Sequence, residues 1–409
     1  MSAPPLALIF RSFARIGLLS FGGPAAQISM MHEELVERRG WLSEQQFLGA
    51  LSFCMLLPGP EAMQLCTYAG WRLRGVLGGL IAGLLFVLPG AAVILALGLG
   101  YATYGDLPMV QAVFLGVKAA VVVIVLQALL KLAQRALKGR ASWVLAGLGF
   151  VAMFFLSVPF PLIIAAAGVW GAWSTRGAIA VPETADDVVS FRQAARTALI
   201  WGALWAAPVL LAWGMGAEFL TDLALFFSKL AVAVLAYMTE TVVATKGWLT
   251  TAEMIDALGL AETTPGPLIL VTKFVGLLAG YAQGGVGTAV LAACLTLWVT
   301  FIPCFLWIFT GAPYIEHILA RPRLKGALAG ISAAVVGVIL NLSVWFALHV
   351  LFGQVTMSAL GPRPEISSFS PRDAIYVAVA GVLLLGLRLP MVPVLALMAV
   401  LAGLVHVLI

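Results

Sequence analysis

The sequence predicts an all-α, polytopic transmembrane protein built from two inverted-topology repeats with discontinuous helices, and three observations carry that prediction. The chain is 62% hydrophobic and only 10% charged, outside the range of soluble domains. It aligns with itself, Arg39 to Pro60 lying without a gap on Lys246 to Pro267. A Pro-Gly-Pro tripeptide interrupts an otherwise apolar helical run once in each copy.

The apolar runs come first. Val76 to Thr103, Met109 to Leu130, Val286 to Thr310 and Gly326 to Phe352 each reach the roughly 20 residues that cross a hydrocarbon core as helix. Met1 to Phe13 has no uninterrupted apolar core, because Arg11 and Arg15 cut the first stretch, and no removable signal is expected. Each half then reads as an opening segment (Leu6 to Met31; Asp222 to Met238), a motif segment (Phe47 to Gly70; Met254 to Leu277), two firm spans and a pair of shorter apolar stretches. In the first half that pair is Trp143 to Ser157 and Pro161 to Trp173. The total is roughly 10 to 13 crossings. Residues 1–173 form the first repeat, 174–221 a cytoplasmic linker plus an extra span, and 222–409 the second repeat; Gly353 to Pro371 reads as a loop.

The self-alignment matches Gly40/Gly247, Trp41/Trp248, Leu42/Leu249, Pro58/Pro265, Gly59/Gly266 and Pro60/Pro267 among others, where chance gives about one or two identities. Further on, Pro89 meets Pro303, Gly116 meets Gly330 and Gln127 meets Asn341, which establishes a duplication. The copies carry opposite basic bias. Arg72 and Arg74 occupy a connection whose partner, Leu278 to Gly285, has no Lys or Arg, whereas empty Tyr104 to Pro108 answers to Arg321, Arg323 and Lys325. Basic connections stay in the cytoplasm, so the halves should be inverted, and Leu199 to Trp213, which has no counterpart, supplies the odd crossing that inversion needs. Inverted repeats place substrate sites near the midplane, where broken helices meet.

Pro58-Gly59-Pro60 and Pro265-Gly266-Pro267 each stop one helix and start another, since proline lacks an N–H and disfavours helix in the preceding residue. The new helix start presents free N–H groups and a positive dipole end, which suit an anion; two such breaks facing each other would make an anion site. Phe21-Gly22-Gly23-Pro24 interrupts the opening segment similarly, through a turn or simply through close helix packing. Charges inside apolar segments are costly and informative: Glu61 just after the first break, Glu262 just before the second, Lys118 within a firm span and Lys273 two turns past Pro265. A lysine can neutralise an anion, and a carboxylate beside it can take up a proton. Lys273 could instead snorkel to an interface and Glu61 merely cap its helix. Gln127 and Asn341 read as interhelical hydrogen-bonding groups or as donors to an oxyanion, and Arg72 and Arg74 as positive-inside anchors or as charges that draw a dianion into a cytoplasmic vestibule. Cys54, Cys66, Cys294 and Cys304 lack metal-ligand spacing and read as buried apolar thiols, while the four histidines are scattered, so neither metal nor other cofactor is expected.

The ordered set Phe21-Gly22-Gly23-Pro24, Gly40-Trp41-Leu42, Leu57-Pro58-Gly59-Pro60-Glu61-Ala62 with Gln64, and Gly70-Trp71-Arg72 resembles the signature of the chromate ion transporter family. Gly247-Trp248-Leu249 and Glu262-Thr263-Thr264-Pro265-Gly266-Pro267 resemble that family's second domain. The family's second half usually carries its own Phe-Gly-Gly segment; here Phe227-Ser228-Lys229 runs into Ala233-Val234-Leu235 with no glycine pair, a shortened segment. The resemblance implies a multi-pass protein of the bacterial inner membrane that exports chromate and confers chromate resistance, driven by the proton motive force or anion exchange. Its expected partners are chromate or a sulfate-like oxyanion and the lipid bilayer, not nucleic acid, with a homodimer left open. The expected binding residues are Gly22, Gly23, Pro58, Gly59, Pro60, Glu61, Gln64, Lys118, Glu262, Pro265, Gly266 and Pro267. A sulfate or other oxyanion carrier is the nearest alternative. An intramembrane enzyme using Glu61 or Glu262 is a remoter one, because no nucleophile–base pair accompanies them.

Overall fold

A computed structural model describes residues 4–20, 23–55, 57–105, 107–156, 158–175, 191–231, 238, 241–315, 322–358 and 361–408. Residues 176–190 of the linker and the shortened stretch around Ala233 therefore lie outside the described residues.

The chain is overwhelmingly helical, as the apolar runs require. The first half comprises α1 (Leu6–Leu19), α2 (Gly23–His32, continued by a wider-wound turn to Arg38), α3 (Glu44–Cys54), α4 (Glu61–Tyr104), α5 (Pro108–Ala136), α6 (Arg140–Phe154) and α7 (Phe160–Ser174). Then follow α8 (Phe191–Gly214), α9 (Glu218–Leu230), α10 (Thr251–Thr263), α11 (Val271–Gly311), α12 (Pro322–Leu351), α13 (Pro371–Gly381) and α14 (Met391–Leu408). Five described stretches are long and apolar enough to cross a membrane: Glu61–Tyr104, Pro108–Gln127, Arg192–Gly214, Leu268–Tyr314 and Ala329–Leu351. They coincide with the runs read from the sequence. The Gly353 to Pro371 segment is more than a loop: Val355–Ser358 pairs antiparallel with Gly361–Pro364, and Phe352 bridges Phe369. Polar alternation outside the apolar runs is too short there to announce a hairpin.

Two helices are too long to be single crossings, and both fold back on themselves. In α4 the helical dihedrals fail at Arg74 (φ −146°) and Gly75 (φ +59°); in α11 they fail at Gly284 (φ −164°) and Gly285 (φ +70°). A positive φ is cheap only for glycine, so each turn sits where the sequence supplies one. The arms pack closely across the turn: a Cβ on Gly70 would reach Ala82 at 2.6 Å, and one on Gly280 would reach Ala292 at 2.7 Å. The short arms, Glu61 to Leu73 and Val271 to Gln283, measure about 20 Å each at 1.5 Å per residue, less than the roughly 30 Å hydrocarbon core. A short arm whose turn lies at the membrane surface, as Arg72 and Arg74 indicate for α4, therefore begins inside the membrane.

Two compact units result, and each draws on both halves: one from Met1–Ala102, Ala180–Thr250 and Leu260–Arg321, the other from Thr103–Ile179, Thr251–Gly259 and Pro322–Ile409. In the first unit α1 buries Ile9, Phe13 and Ile16, a helical stripe, and leaves Arg15 outward 4.0 Å from Glu34. Pro208 inside α8 deprives the Leu204 carbonyl of its helical donor; Trp298 of α11 donates to that oxygen at 2.8 Å and satisfies it. In the second unit α12 packs on α6 and α7 through small residues, Gly330 against the Ala167 carbonyl and Gly337 against that of Ala146, the close approach that membrane helices use in place of hydrophobic collapse.

Candidate functional site

Both Pro-Gly-Pro stretches are genuine helix breaks. After α3, the Leu57 N–H still reaches Cys54 O at 3.2 Å, then Gly59 adopts φ +108° and helix restarts at Glu61. After α10, the Thr264 hydroxyl donates to Ala261 O at 3.1 Å, Gly266 adopts φ +98°, and a 3-10 turn, Leu268–Leu270, leads into α11. The second proline of each break stands immediately before the first helical residue. Pro60 and Pro267 precede the helix, and their carbonyls accept from Gln64 N (3.1 Å) and Leu270 N (2.9 Å). The amides of Glu61, Ala62 and Met63 are thereby left without intrahelical acceptors. Gln64, wholly buried, braces the first break by donating from Nε2 to Pro58 O at 2.7 Å, while its Oε1 has no hydrogen-bond partner.

Each break is closed by the other half of the chain. A Cβ added to Gly59 would lie 3.0 Å from Cys304 Sγ, on the long arm of α11 beside Pro303. One added to Gly266 would lie 3.3 Å from Phe86 O and 3.9 Å from Gly90 Cα, on the long arm of α4 beside Pro89; a Cβ on Gly90 would in turn overlap the Pro265 carbonyl. Pro89 and Pro303, like Gly90 and Cys304, are equivalent positions of the duplication. The first break thus packs beside the intrahelical proline of the second half, and the second break beside that of the first.

The second break is also tied to the opening segment. Gly266 N donates to the carbonyl (3.0 Å) and hydroxyl (3.1 Å) of Ser20, the residue that ends α1, and Gln27 Nε2 donates to Gly266 O at 2.8 Å and Ser20 O at 3.1 Å. The Gly266 amide is thus already used, and the free amides of this break are those of Leu268 and Ile269. Gly22 lies outside the described residues; Gly23 is the first residue of α2, so helix does stop and restart around this motif. Gln27→Leu takes the side-chain donor from the Gly266 carbonyl, while Ser20 O keeps the Gly266 amide, and should cost about 1–3 kcal/mol, measured as a lower thermal midpoint of the solubilised protein; an unchanged midpoint removes this clamp.

The charged candidates separate. Glu61 opens α4 at the first break and forms no ion pair among the described residues. Lys118 belongs to the second compact unit, where its ammonium lies 3.0 Å from Asp256, a carboxylate only 5% exposed. Its charge is therefore already met. The side chain of Glu262 lies outside the described residues, although its backbone is in α10. Lys273 is 4% exposed and donates to Ala91 O at 2.8 Å, so it does not snorkel. Cys54, Cys66 and Cys304 are buried as expected, but Cys294 is exposed on the outer face of α11; an outward face toward lipid is as apolar as a core, so composition could not distinguish the two. Among the described residues no cluster of His, Cys, Asp and Glu could hold a metal ion. Sequence reasoning missed Asp256, Ser20 and Gln27. Asp256 was open to the test applied to the other buried charges, a carboxylate inside an apolar helix; Ser20 and Gln27 carry no signal short of the fold.

A family model described as chromate transporter matches residues 7–172 and 223–404. A probable chromate transport protein of Synechococcus elongatus is 31% identical over 386 residues, covering 91% of this chain and 93% of its own. A chromate transport protein of Pseudomonas aeruginosa is 32% identical over 349 residues (82% and 80%), and one of Cupriavidus metallidurans is 30% identical over 339 (80% and 79%). No solved structure matches.

Proposed function

Because the chain belongs to the chromate transporter family, we propose that it carries chromate out of the bacterial cytoplasm across the inner membrane, with the anion held at the two helix breaks of the first compact unit. The observation that carries this reading is the reciprocal packing of each break against the proline-containing long arm of the other half. Helix starts inside the membrane present unpaired amides to an anion, and their mutual contacts make any movement of one half felt by both.

In this reading the halves, 1–173 and 222–409, are inverted about the extra span within 174–221. Supporting it are the opposite basic bias of equivalent connections and the recurrence of positive φ at Gly40/Gly247 (58° and 59°) and Gly59/Gly266 (108° and 98°). Pro58 to Pro60, Gln64 and Pro265 to Pro267 shape the site, with Gly22 and Gly23 beside them. Glu61 or Glu262 takes up the coupling proton. Lys118, neutralised by Asp256, is left with a bracing role. The membrane potential favours the outward direction: expelling two negative charges gains about 4.6 kcal/mol per 100 mV, twice the roughly 2.3 for one charge.

Chromate uptake into inverted membrane vesicles tests this. Wild type should accumulate chromate when a proton gradient is imposed, and Glu61→Gln should lose the gradient's stimulation by roughly tenfold or more, the weight of a proton-transfer group. Stimulated uptake by Glu61→Gln at the wild-type rate moves the coupling to Glu262. No uptake by wild type removes chromate export, and sulfate uptake in its place establishes the sulfate carrier.

A further inference from the structure

We propose that Lys273 is the counter-charge of the transported oxyanion, a substrate-binding residue at the second break; this rests on the oxyanion-transport reading above.

Lys273 is the third residue of the α11 short arm, about 16 Å from the Gly284 turn at 1.5 Å per residue, deep within a hydrocarbon layer. Its ammonium is buried and makes one hydrogen bond, to Ala91 O at 2.8 Å on the long arm of α4. Ala91 adjoins Gly90, which abuts the Pro265 carbonyl, so cation, second break and the Pro89 stretch of α4 meet in one place. Among the described side chains no carboxylate pairs with it. An ammonium has three donors, and one carbonyl leaves two N–H groups and a full charge to be met.

Burying such a charge in a membrane interior costs several kcal/mol, and nothing in the packing asks for it. Methionine fills nearly the same volume and would serve a purely structural position better. The duplication sharpens the point. Position for position, Lys273 answers to Cys66, and Glu61 answers to Leu268, so the equivalent stretches after the two breaks carry an acid in one and a base in the other. A site built from the two breaks thus gains a single cation, on one side. A tetrahedral dianion supplies what that cation lacks: oxygens for its two remaining donors and the opposite charge.

The test is binding of radiolabelled sulfate, which is redox-inert, and of chromate to purified full-length protein in nanodiscs, for wild type, Lys273→Met and Lys273→Arg. Lys273→Met should weaken binding roughly tenfold or more, as truncating one member of a buried charge pair does, and Lys273→Arg should bind more tightly than Lys273→Met. Wild-type affinity in Lys273→Met overturns the assignment while leaving the transport reading in place. Failure of wild type to bind either anion removes the transport reading itself. Should Lys273→Met not fold, unaltered protein suffices: amine-reactive labelling read by peptide mass spectrometry should slow several-fold at Lys273 in saturating sulfate and stay constant at Lys246. Equal rates at Lys273 with and without sulfate overturn the proposal.

Discussion

Gly90→Ala should abolish chromate uptake and lower the thermal midpoint sharply, whereas Gly100→Ala, in the same arm of α4, should leave both near wild type. Helix propensity alone predicts the opposite of damage at either site, since alanine is favoured over glycine by about 1 kcal/mol in a helix interior. The surroundings decide. A Cβ at Gly100 meets nothing within 4 Å, but one at Gly90 overlaps the carbonyl oxygen of Pro265 and lies 2.7 Å from Leu270 Cδ1. Leu270 can turn aside; the Pro265 carbonyl is backbone, fixed between the positive-φ Gly266 and its bonds to Ser20 and Gln27. Relief therefore requires the break to separate from the long arm of α4, and overpacking of this kind costs about 1–3 kcal/mol or more. Because Gly90 is the equivalent of Cys304, which closes the first break, the loss should be one of transport as well as of stability. Uptake into inverted vesicles and thermal unfolding of solubilised protein check the pair of variants; matching behaviour of Gly90→Ala and Gly100→Ala would show that the break and the long arm do not need each other.

The contrast also marks what the sequence could say. Spans were legible because hydrocarbon admits only helix with few charges, so Val76 to Thr103 and Val286 to Thr310 emerge as long arms almost to the residue. The breaks were legible because proline and glycine act through their own backbones. What could not be read is which atoms close each break. Gly59 meets Cys304, Gly90 meets Pro265 and Ser20 meets Gly266 across most of the chain, and no local pattern encodes contacts of that separation. The fold-back at Arg74–Gly75 was half visible: a glycine beside two arginines signals a connection, but not that its arms would lie against each other. Lys118 shows the opposite error. A lone lysine in an apolar run looks like a charge awaiting a substrate, and only the placement of α10 beside α5 shows that Asp256 is there to meet it.

That pair makes the second large prediction. Lys118→Met should destabilise the protein by up to about 3–5 kcal/mol, the cost of removing one member of a buried ion pair, and transport should fall with it. Asp256→Leu should cost less, because Lys118 is 21% exposed and its long stem can carry the ammonium toward water, whereas Asp256 is 5% exposed on a short one. The double variant Lys118→Met/Asp256→Leu should recover most of the loss, since an apolar pair of similar volume often replaces a buried ion pair without penalty. Here the neighbours are already apolar: a Cβ added at Gly259, one turn beyond Asp256 on α10, would fall in ordinary contact with Val117 and Val121, which lie on either side of Lys118 on α5. Thermal midpoints of the four proteins complete a double-mutant cycle, whose coupling should exceed about 1 kcal/mol for charges in direct contact. Transport by the double variant then separates two roles. Recovery of uptake together with stability identifies the pair as a brace on α10, the helix that ends at the second break. A stable double variant that carries no chromate would instead return Lys118 to the substrate path, as a cation whose partnership with Asp256 is set aside when the anion arrives.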